Sequence, residues 1–324
     1  IPQGRLTVVT GVSGSGKTTM VLESLIPALQ ARIAGQALPG HVRWLEAPGI
    51  GRVMLIDATP IGINVRSTVA TYAGVHDELR KHFARSEAAK QYGAKLAAEA
   101  GSKSGRHRGL TAGAFSYNTG SLRCDTCDGT GQISLDVQFL PDVEICCPDC
   151  RGCRYGRAAH EIRCFFDDGA AYSLPDLMAM SVDEALTVCA GLSRVSKKLQ
   201  VLHDLGLGYL TLGEQTPGLS GGEAQRLKLA SEMGRGQGDS VFVFDEPTIG
   251  LHPKDVQTLM GVFASLIAKG ATVVVIEHDL DVIRSADYVV DMGPGGGLAG
   301  GRVVATGSPA QIKACPTSLT GKFI

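Results

Sequence analysis

Residues Gly11-Val12-Ser13-Gly14-Ser15-Gly16-Lys17-Thr18 follow the spacing GxxxxGK[ST], which suits one task, holding a chain of phosphates. The glycines let backbone N–H groups close on the β- and γ-phosphates, Lys17 adds a positive charge, and the Thr18 hydroxyl takes Mg²⁺. A second phosphate-binding device lies about 200 residues downstream, at Leu219-Ser220-Gly221-Gly222-Glu223. Ser220 and Glu223 form a capping box, which by itself reads as a helix start. Two glycines behind the cap also open a helix N-terminus to an anion, so both readings hold together. The candidate ATP contacts are Gly11, Ser13, Gly14, Ser15, Gly16, Lys17, Thr18 and Thr19 in the loop, with Ser220, Gly221, Gly222 and Glu223 in the capped helix.

Val241-Phe242-Val243-Phe244-Asp245-Glu246 is a run of β-formers ending in two carboxylates, the pattern of a buried parallel strand that delivers acids at its C-terminal edge. Asp245 is expected to hold Mg²⁺ through water, and Glu246 to polarise the water that attacks the γ-phosphate. A further strand, Ala271 to Ile276, ends in Glu277-His278. A strand-end histidine often satisfies only a local hydrogen bond, so His278 needs the company of the other motifs to count as catalytic. The elements that must position these groups are legible beside them: an apolar strand from Leu6 to Thr10 precedes the phosphate loop, and a helical pattern runs from Thr18 through Leu25.

Nine cysteines without a signal peptide point to metal rather than disulfides. Cys124-Asp-Thr-Cys127 and Cys147-Pro-Asp-Cys150 form CxxC…CxxC with 19 residues between the pairs, a spacing of structural Zn²⁺ sites. Four thiolates close a tetrahedral shell and leave no position for a catalytic water. Cys150-Arg-Gly-Cys153 is itself a CxxC, so Cys146 and Cys153 compete for the register. Between the pairs, Ile133, Leu135, Val137 and Phe139 alternate with polar residues and Pro141-Asp142 supplies a turn, which predicts a β-hairpin. Cys164, Cys189 and Cys315 read as core or incidental residues.

The Leu-Ser-Gly-Gly-Glu string resembles the signature of the ATP-binding cassette (ABC) ATPases. That resemblance implies that Ser220–Glu223 close over the γ-phosphate of a nucleotide held by a second cassette, and that His278 is a switch histidine touching the γ-phosphate and attacking water. An ABC cassette with a Cys₄ module between loop and signature is similar to one family, the UvrA excinuclease proteins of bacterial nucleotide excision repair. Quotable matches include Thr10–Lys17, Pro60-Ile61-Gly62, Ala70-Thr71-Tyr72, Phe115-Ser116-Tyr117-Asn118, Phe139-Leu140-Pro141-Asp142-Val143, Leu207-Gly208-Tyr209, Asp245-Glu246-Pro247-Thr248 and Ile276-Glu277-His278. The resemblance covers nearly the whole chain and corresponds to the C-terminal half of such a protein. It implies a cytoplasmic ATPase with ATP, Mg²⁺ and Zn²⁺, working in DNA excision and the SOS response. Its implied partners are damaged duplex DNA, a second cassette, from a missing N-terminal half or a homodimer, and a UvrB-like helicase. Ile1 stands in place of an initiator methionine and the family places another cassette upstream, so the chain is expected to be a fragment or split half.

Two departures favour a paralogue, linked to stress tolerance or antibiotic self-protection. Ala58 stands where the family carries a glutamine that approaches Mg²⁺ and the lytic water. Ala114, Thr119 and Ser134 stand where repair proteins carry basic residues, and each lost charge removes roughly one phosphate contact. The rival function is therefore a UvrA-like cassette that drives self-protection, transport or a ribosome-associated process through a protein partner. A catalytically silent binding half is a third reading.

At 324 residues the chain exceeds one ordinary domain, and 44% apolar content supports a sizeable core. No apolar run approaches the roughly 20 residues of a membrane span. Net charge of −1 gives no global pull toward nucleic acid, so DNA contacts must come from local patches. Lys103, Arg106 and Arg108, with His107, form one such patch; Arg80-Lys81-His82 with Arg85 forms another, read as a solvated helix face. The expected fold class is α/β, an ABC-type P-loop ATPase core with a mainly parallel sheet and flanking helices, interrupted by an inserted helical and zinc-binding domain. Residues 1–70 and 201–324 are expected to form the core, and 71–200 the insertion, with the zinc module at about 115–160. Helices are expected over Ala84–Ala100 and Leu174–Ala190, and a loop over the glycine tract from Gly293 to Gly301 before a β-like stretch, Arg302 to Ala305.

Overall fold

The computed structural model describes residues 1–61, 64–99, 110–135, 143–233 and 238–324. Its strands, in chain order, are β1 (Leu6–Gly11), β2 (Arg52–Ile56), β3 (Gln132–Leu135), β4 (Val143–Cys146), β5 (Arg163–Phe165), β6 (Ala171–Ser173), β7 (Ser240–Asp245), β8 (Thr272–Ile276), β9 (Tyr288–Gly293) and β10 (Arg302–Gly307). The chain forms two compact units, Ile1–Thr59 with Ser220–Ile324, and Pro60–Leu219.

The first unit is an α/β cassette around a six-stranded sheet in the order β10-β9-β1-β8-β7-β2. All neighbours run parallel except β10, which returns antiparallel along β9. Uninterrupted Val, Ile and Phe in β1, β7 and β8 follow from burial on both faces, which removes the polar alternation of a one-sided sheet. Edge strand β10 is instead largely exposed. Val9, Val21, Leu29, Val243, Val274 and Ile276 share one core, while Phe244 packs on Phe263 of the helix Pro253–Ala268 with ring centroids 4.8 Å apart. Each such buried side chain contributes about 1.5–3 kcal/mol, enough to hold the strand ends in register.

The Pro60–Leu219 unit combines helices with two antiparallel hairpins, β3-β4 and β5-β6. The β3-β4 pairing matches the expected zinc hairpin; Val137, Phe139 and Pro141-Asp142 lie outside the described residues. Its aromatic core includes Phe83, Phe115, Tyr117 and Tyr155, all fully buried or nearly so. Among its buried polar atoms, Tyr155 Oη lies 2.7 Å from His76 Nε2 and donates to Phe115 O at 2.9 Å.

Local chemistry moved three expected helix boundaries. The segment after the phosphate loop is π-helical over Thr19–Leu25 and becomes α-helical only at Ile26–Ile33. The alanine-rich helix is Glu87–Glu99, because the Ser86 hydroxyl accepts from Ala89 N–H and caps it, leaving Ala84 and Arg85 in the preceding helix, Val75–Arg85. Residues 174–190 form two helices, Leu174–Met178 and Val182–Val188, because Ser181 and Glu184 make a capping box that starts the second. Among the described residues no helix is long and apolar enough to cross a membrane.

Candidate functional site

Sheet register brings the candidate catalytic groups to one edge. Val9 pairs with Ile276 and Asp245 pairs with the same Ile276, so β1, β8 and β7 end at a common level. From these ends the chain continues into the phosphate loop, Glu277-His278 and Glu246 respectively. The loop turns away from β1 at Gly11, where any Cβ would fall 2.1 Å from Met292 O. Ser15 N–H donates to Val12 O at 3.1 Å, and Lys17 Nζ donates to Gly11 O (2.9 Å) and Val12 O (3.1 Å). Thr18 and Thr19 follow at the start of the helical segment.

Glu246 has φ of 46°, a left-handed conformation that costs a non-glycine residue about 1–2 kcal/mol. Its N–H donates to Ile276 O at 3.0 Å, and its Oε1 lies 3.8 Å from His278 Nδ1. Burial raises the Asp245 carboxyl above the ordinary carboxylate range, and the charges of Glu246, Asp57 and Glu277 raise it further. Such crowding is what a divalent cation relieves. Glu277, fully buried, accepts from Thr248 N–H (2.9 Å), Thr248 Oγ1 (2.6 Å), His278 N–H (2.8 Å) and Asp279 N–H (3.1 Å). It therefore braces the turn that carries His278.

Ser220 caps the helix Gly221–Glu232: its Oγ accepts from Glu223 N–H at 3.4 Å, and Glu223 Oε2 accepts from Ser220 N–H at 2.7 Å. Further along this helix, buried Gln225 donates through Nε2 to Ile56 O (3.1 Å) and Asp245 O (3.0 Å), tying the ends of β2 and β7 together. Lys228 Nζ donates to Asp57 O (3.0 Å), to the Asp57 carboxylate and to Thr59 Oγ1 (2.6 Å). Burial pushes the Asp57 carboxyl up, but Lys228 and Thr59 outweigh it and hold it below the usual range.

In the other unit, the Sγ atoms of Cys124, Cys127, Cys147 and Cys150 lie within 4.8 Å of one another, and all four residues are buried. Sulfur separations of 3.9 Å (Cys124–Cys147) and 3.6 Å (Cys127–Cys150) bracket the about 3.8 Å that a tetrahedral ion with Zn–S bonds of about 2.3 Å requires. The donor set fits Zn²⁺. Burial alone would raise the Cys127 thiol, but the Gly131 N–H and the neighbouring thiols outweigh it and bring it down to about 7. Cys153 lies outside this cluster, with its Sγ 3.7 Å from His160 Nε2, and Cys146 is exposed.

No family model matches the chain. Over its whole length it is 44% identical to UvrABC system protein A of Streptomyces avermitilis, 43% identical to that of Synechocystis sp. and 42% identical to that of Staphylococcus aureus. It spans 30%, 32% and 32% of those proteins. The crystal structure of UvrA2 from Deinococcus radiodurans superposes with a TM-score of 0.83 at 40% identity, covering 100% of this chain and 37% of that one. The chain is a UvrA homologue.

For this UvrA homologue, the described residues include every candidate ATP, Mg²⁺ and zinc residue, while Lys103, Arg106 and Arg108 lie outside them. In the other basic stretch, Arg80 pairs with Asp77 and Lys81 with Glu78, so these two charges are neutralised within the helix. Ala58 is exposed, and a Cβ at Gly221 would stand 3.2 Å from its methyl, close beside the signature helix. Sequence reasoning missed Gln225 and Lys228, which lie beyond the Leu219–Glu223 string, and treated Glu277 only as the neighbour of His278. Their i, i+3 spacing was the available signal, since it puts Gln225 and Lys228 on one helix face.

Proposed function

We propose that the chain is an ATP-hydrolysing cassette of the UvrA type that works as one of a pair, and that the pair recognises damaged DNA and passes it to a UvrB-like helicase. The common level of the β1, β7 and β8 ends supports this reading, because the phosphate loop, the second of the paired carboxylates and the histidine follow directly from those three ends. Lys17 and the loop N–H groups would hold the phosphates. Thr18 and Asp245 would hold Mg²⁺, which supplies charge neutralisation on the transferred phosphoryl group. Glu246 would orient the attacking water, with His278 beside it to sense the γ-phosphate. Ser220, Gly221 and Gly222 would close on the nucleotide of the second cassette. A zinc ion at the four thiols would be structural, with no open coordination position.

Replacing Glu246 by Gln keeps shape and removes the base. ATP affinity should stay within a few-fold while turnover, assayed with the second cassette present, falls roughly 10²-fold or more. Unchanged turnover would remove Glu246 from the chemistry. DNA association is tested on the same pair: it should fall steeply with salt, and alanine at Arg106 and Arg108 should flatten the log–log slope by about one to two. If the pair binds no DNA at low salt, with or without ATP, the damage-recognition part of the proposal fails.

A further inference from the structure

The glycine tract Gly293–Gly301 is packed directly against the phosphate loop. Gly297 N–H donates to Gly14 O at 3.1 Å, and Gly301 N–H donates to Ser15 O at 2.9 Å. These bonds turn the two loop carbonyls toward the tract. In a planar trans peptide the N–H of the next residue points the opposite way, so holding the Ser15 carbonyl also aims the Gly16 N–H away from the tract.

Two glycines of the tract are there for a reason other than backbone freedom. Gly296 has φ of −99° and Gly300 has φ of −91°, conformations open to any residue. A Cβ on Gly296, however, would fall 2.6 Å from Ser13 O. On Gly300 it would fall 2.9 Å from Gly295 O, 3.1 Å from Ser15 Cα and 3.2 Å from Gly14 O. At Gly296 alanine is thus excluded by the phosphate loop and not by the local turn, whereas at Gly300 the closest contact is Gly295 O of the tract itself and the phosphate loop presses next. From the other side, Cβ atoms at Gly14 and Gly16 would come to 3.5 Å from the tract, at Gly297 N and Gly301 Cα, an ordinary contact distance that shows the two segments touching without excluding a side chain. By contrast, Gly297 has open space around its Cβ position, and Leu298 is fully exposed.

We infer that Gly296 and Gly300 are positioning residues for nucleotide binding: the tract is a second wall, clamped to the outside of the phosphate loop, that sets the direction of its N–H groups. This rests on the ATP-binding reading above. It accounts for a segment that catalysis otherwise leaves without a task, and it makes phosphate affinity depend on residues almost 300 positions from the loop in sequence.

The test uses the whole chain, with Mg²⁺-ATP and Mg²⁺-ADP as titrants in calorimetry and thermal unfolding as a check of the fold. Gly296→Ala should weaken ATP and ADP alike by at least tenfold, because the displaced element contacts phosphates common to both. Gly300→Ala should do the same to a smaller degree, since its closest contacts are longer, and it serves if Gly296→Ala does not fold. Leu298→Ala changes only an exposed tip and should bind within twofold of wild type. Wild-type affinity in folded Gly296→Ala and Gly300→Ala overturns the inference, as does an equal loss in the Leu298→Ala control. A folded wild-type chain that binds neither nucleotide overturns the ATP-binding reading and this inference with it.

Discussion

Replacing Gln225 by Met removes a double donor from a place that water does not reach. Gln225 is 4% exposed, and its single amide nitrogen satisfies both Ile56 O at 3.1 Å and Asp245 O at 3.0 Å. Methionine matches its length and can fill its volume, so the substitution deletes two hydrogen bonds without opening a large cavity. Each buried acceptor left unpaired costs about 1–3 kcal/mol, against which the thioether regains about 1 kcal/mol of apolar burial. The net loss should be about 1–5 kcal/mol. Glutamate at the same position brings two further acceptors against two carbonyls, so at neutral pH it should cost more than methionine. Because one of the carbonyls belongs to Asp245, the residue before Glu246, both variants should also lower turnover more than nucleotide affinity. Denaturant unfolding gives the first quantity; steady-state hydrolysis with the second cassette and nucleotide titration give the second. A Gln225→Met protein as stable and as active as wild type would refute the claim that this amide fastens β2 to β7.

Metal analysis should return about one zinc per chain; Cys127→Ala should release it and unfold the hairpin, whereas Cys153→Ala should retain it, and the opposite result would move the site to the competing register. Burial, then the nearby Arg80 and Arg154 charges, push His76 down to about 3, so between that value and its unfolded value near 6.5 the unfolded chain binds the extra proton. Stability should therefore fall with pH below about 6.5, by about 2 kcal/mol at pH 5, and a folded His76→Asn variant should lose that share of the slope; an unchanged slope would deny the linkage. Ala58→Gln at its exposed position should leave stability within about 0.5 kcal/mol and raise turnover if a side chain there is what the site lacks, while unchanged turnover would show that the loss of glutamine is without effect.

The motifs whose chemistry is carried by side chains were legible because type and spacing are both recorded in sequence. Lys17, Asp245, Glu246 and the CxxC pairs are of this kind, and so is the buried β7 run that presents the acids. The glycine tract was legible only as a loop, since its contacts with the phosphate loop run between backbones and are made possible by missing side chains. A glycine that punctuates a turn and one that admits a neighbouring chain look the same as letters. The zinc register posed a similar problem: spacing admits Cys153, and only the folded chain shows its sulfur beside His160 instead of with the four clustered thiols. Ser181 and Glu184 did carry a capping-box signal that would have split the helix expected over 174–190.

Ala58 gains meaning from what surrounds it. At the end of β2 the neighbouring carboxylate, Asp57, is already engaged by Lys228 and Thr59, so it cannot replace a glutamine at the cation without releasing them. Lys228 in turn belongs to the helix whose capped start holds Ser220, Gly221 and Gly222. The β2 end thus has its polar groups committed to holding the signature helix, and Gln225 fastens the same helix to β7 one turn earlier. Two consequences follow from one set of contacts. In the proposed reaction the work of orienting water would fall on Glu246, with its left-handed backbone, and on His278, carried by a braced turn. A shift at Asp245 on nucleotide binding would also be transmitted through Gln225 to the helix that, in the proposed pair, would face the other nucleotide, because a side chain bonded to both strand ends cannot follow one without pulling on the other.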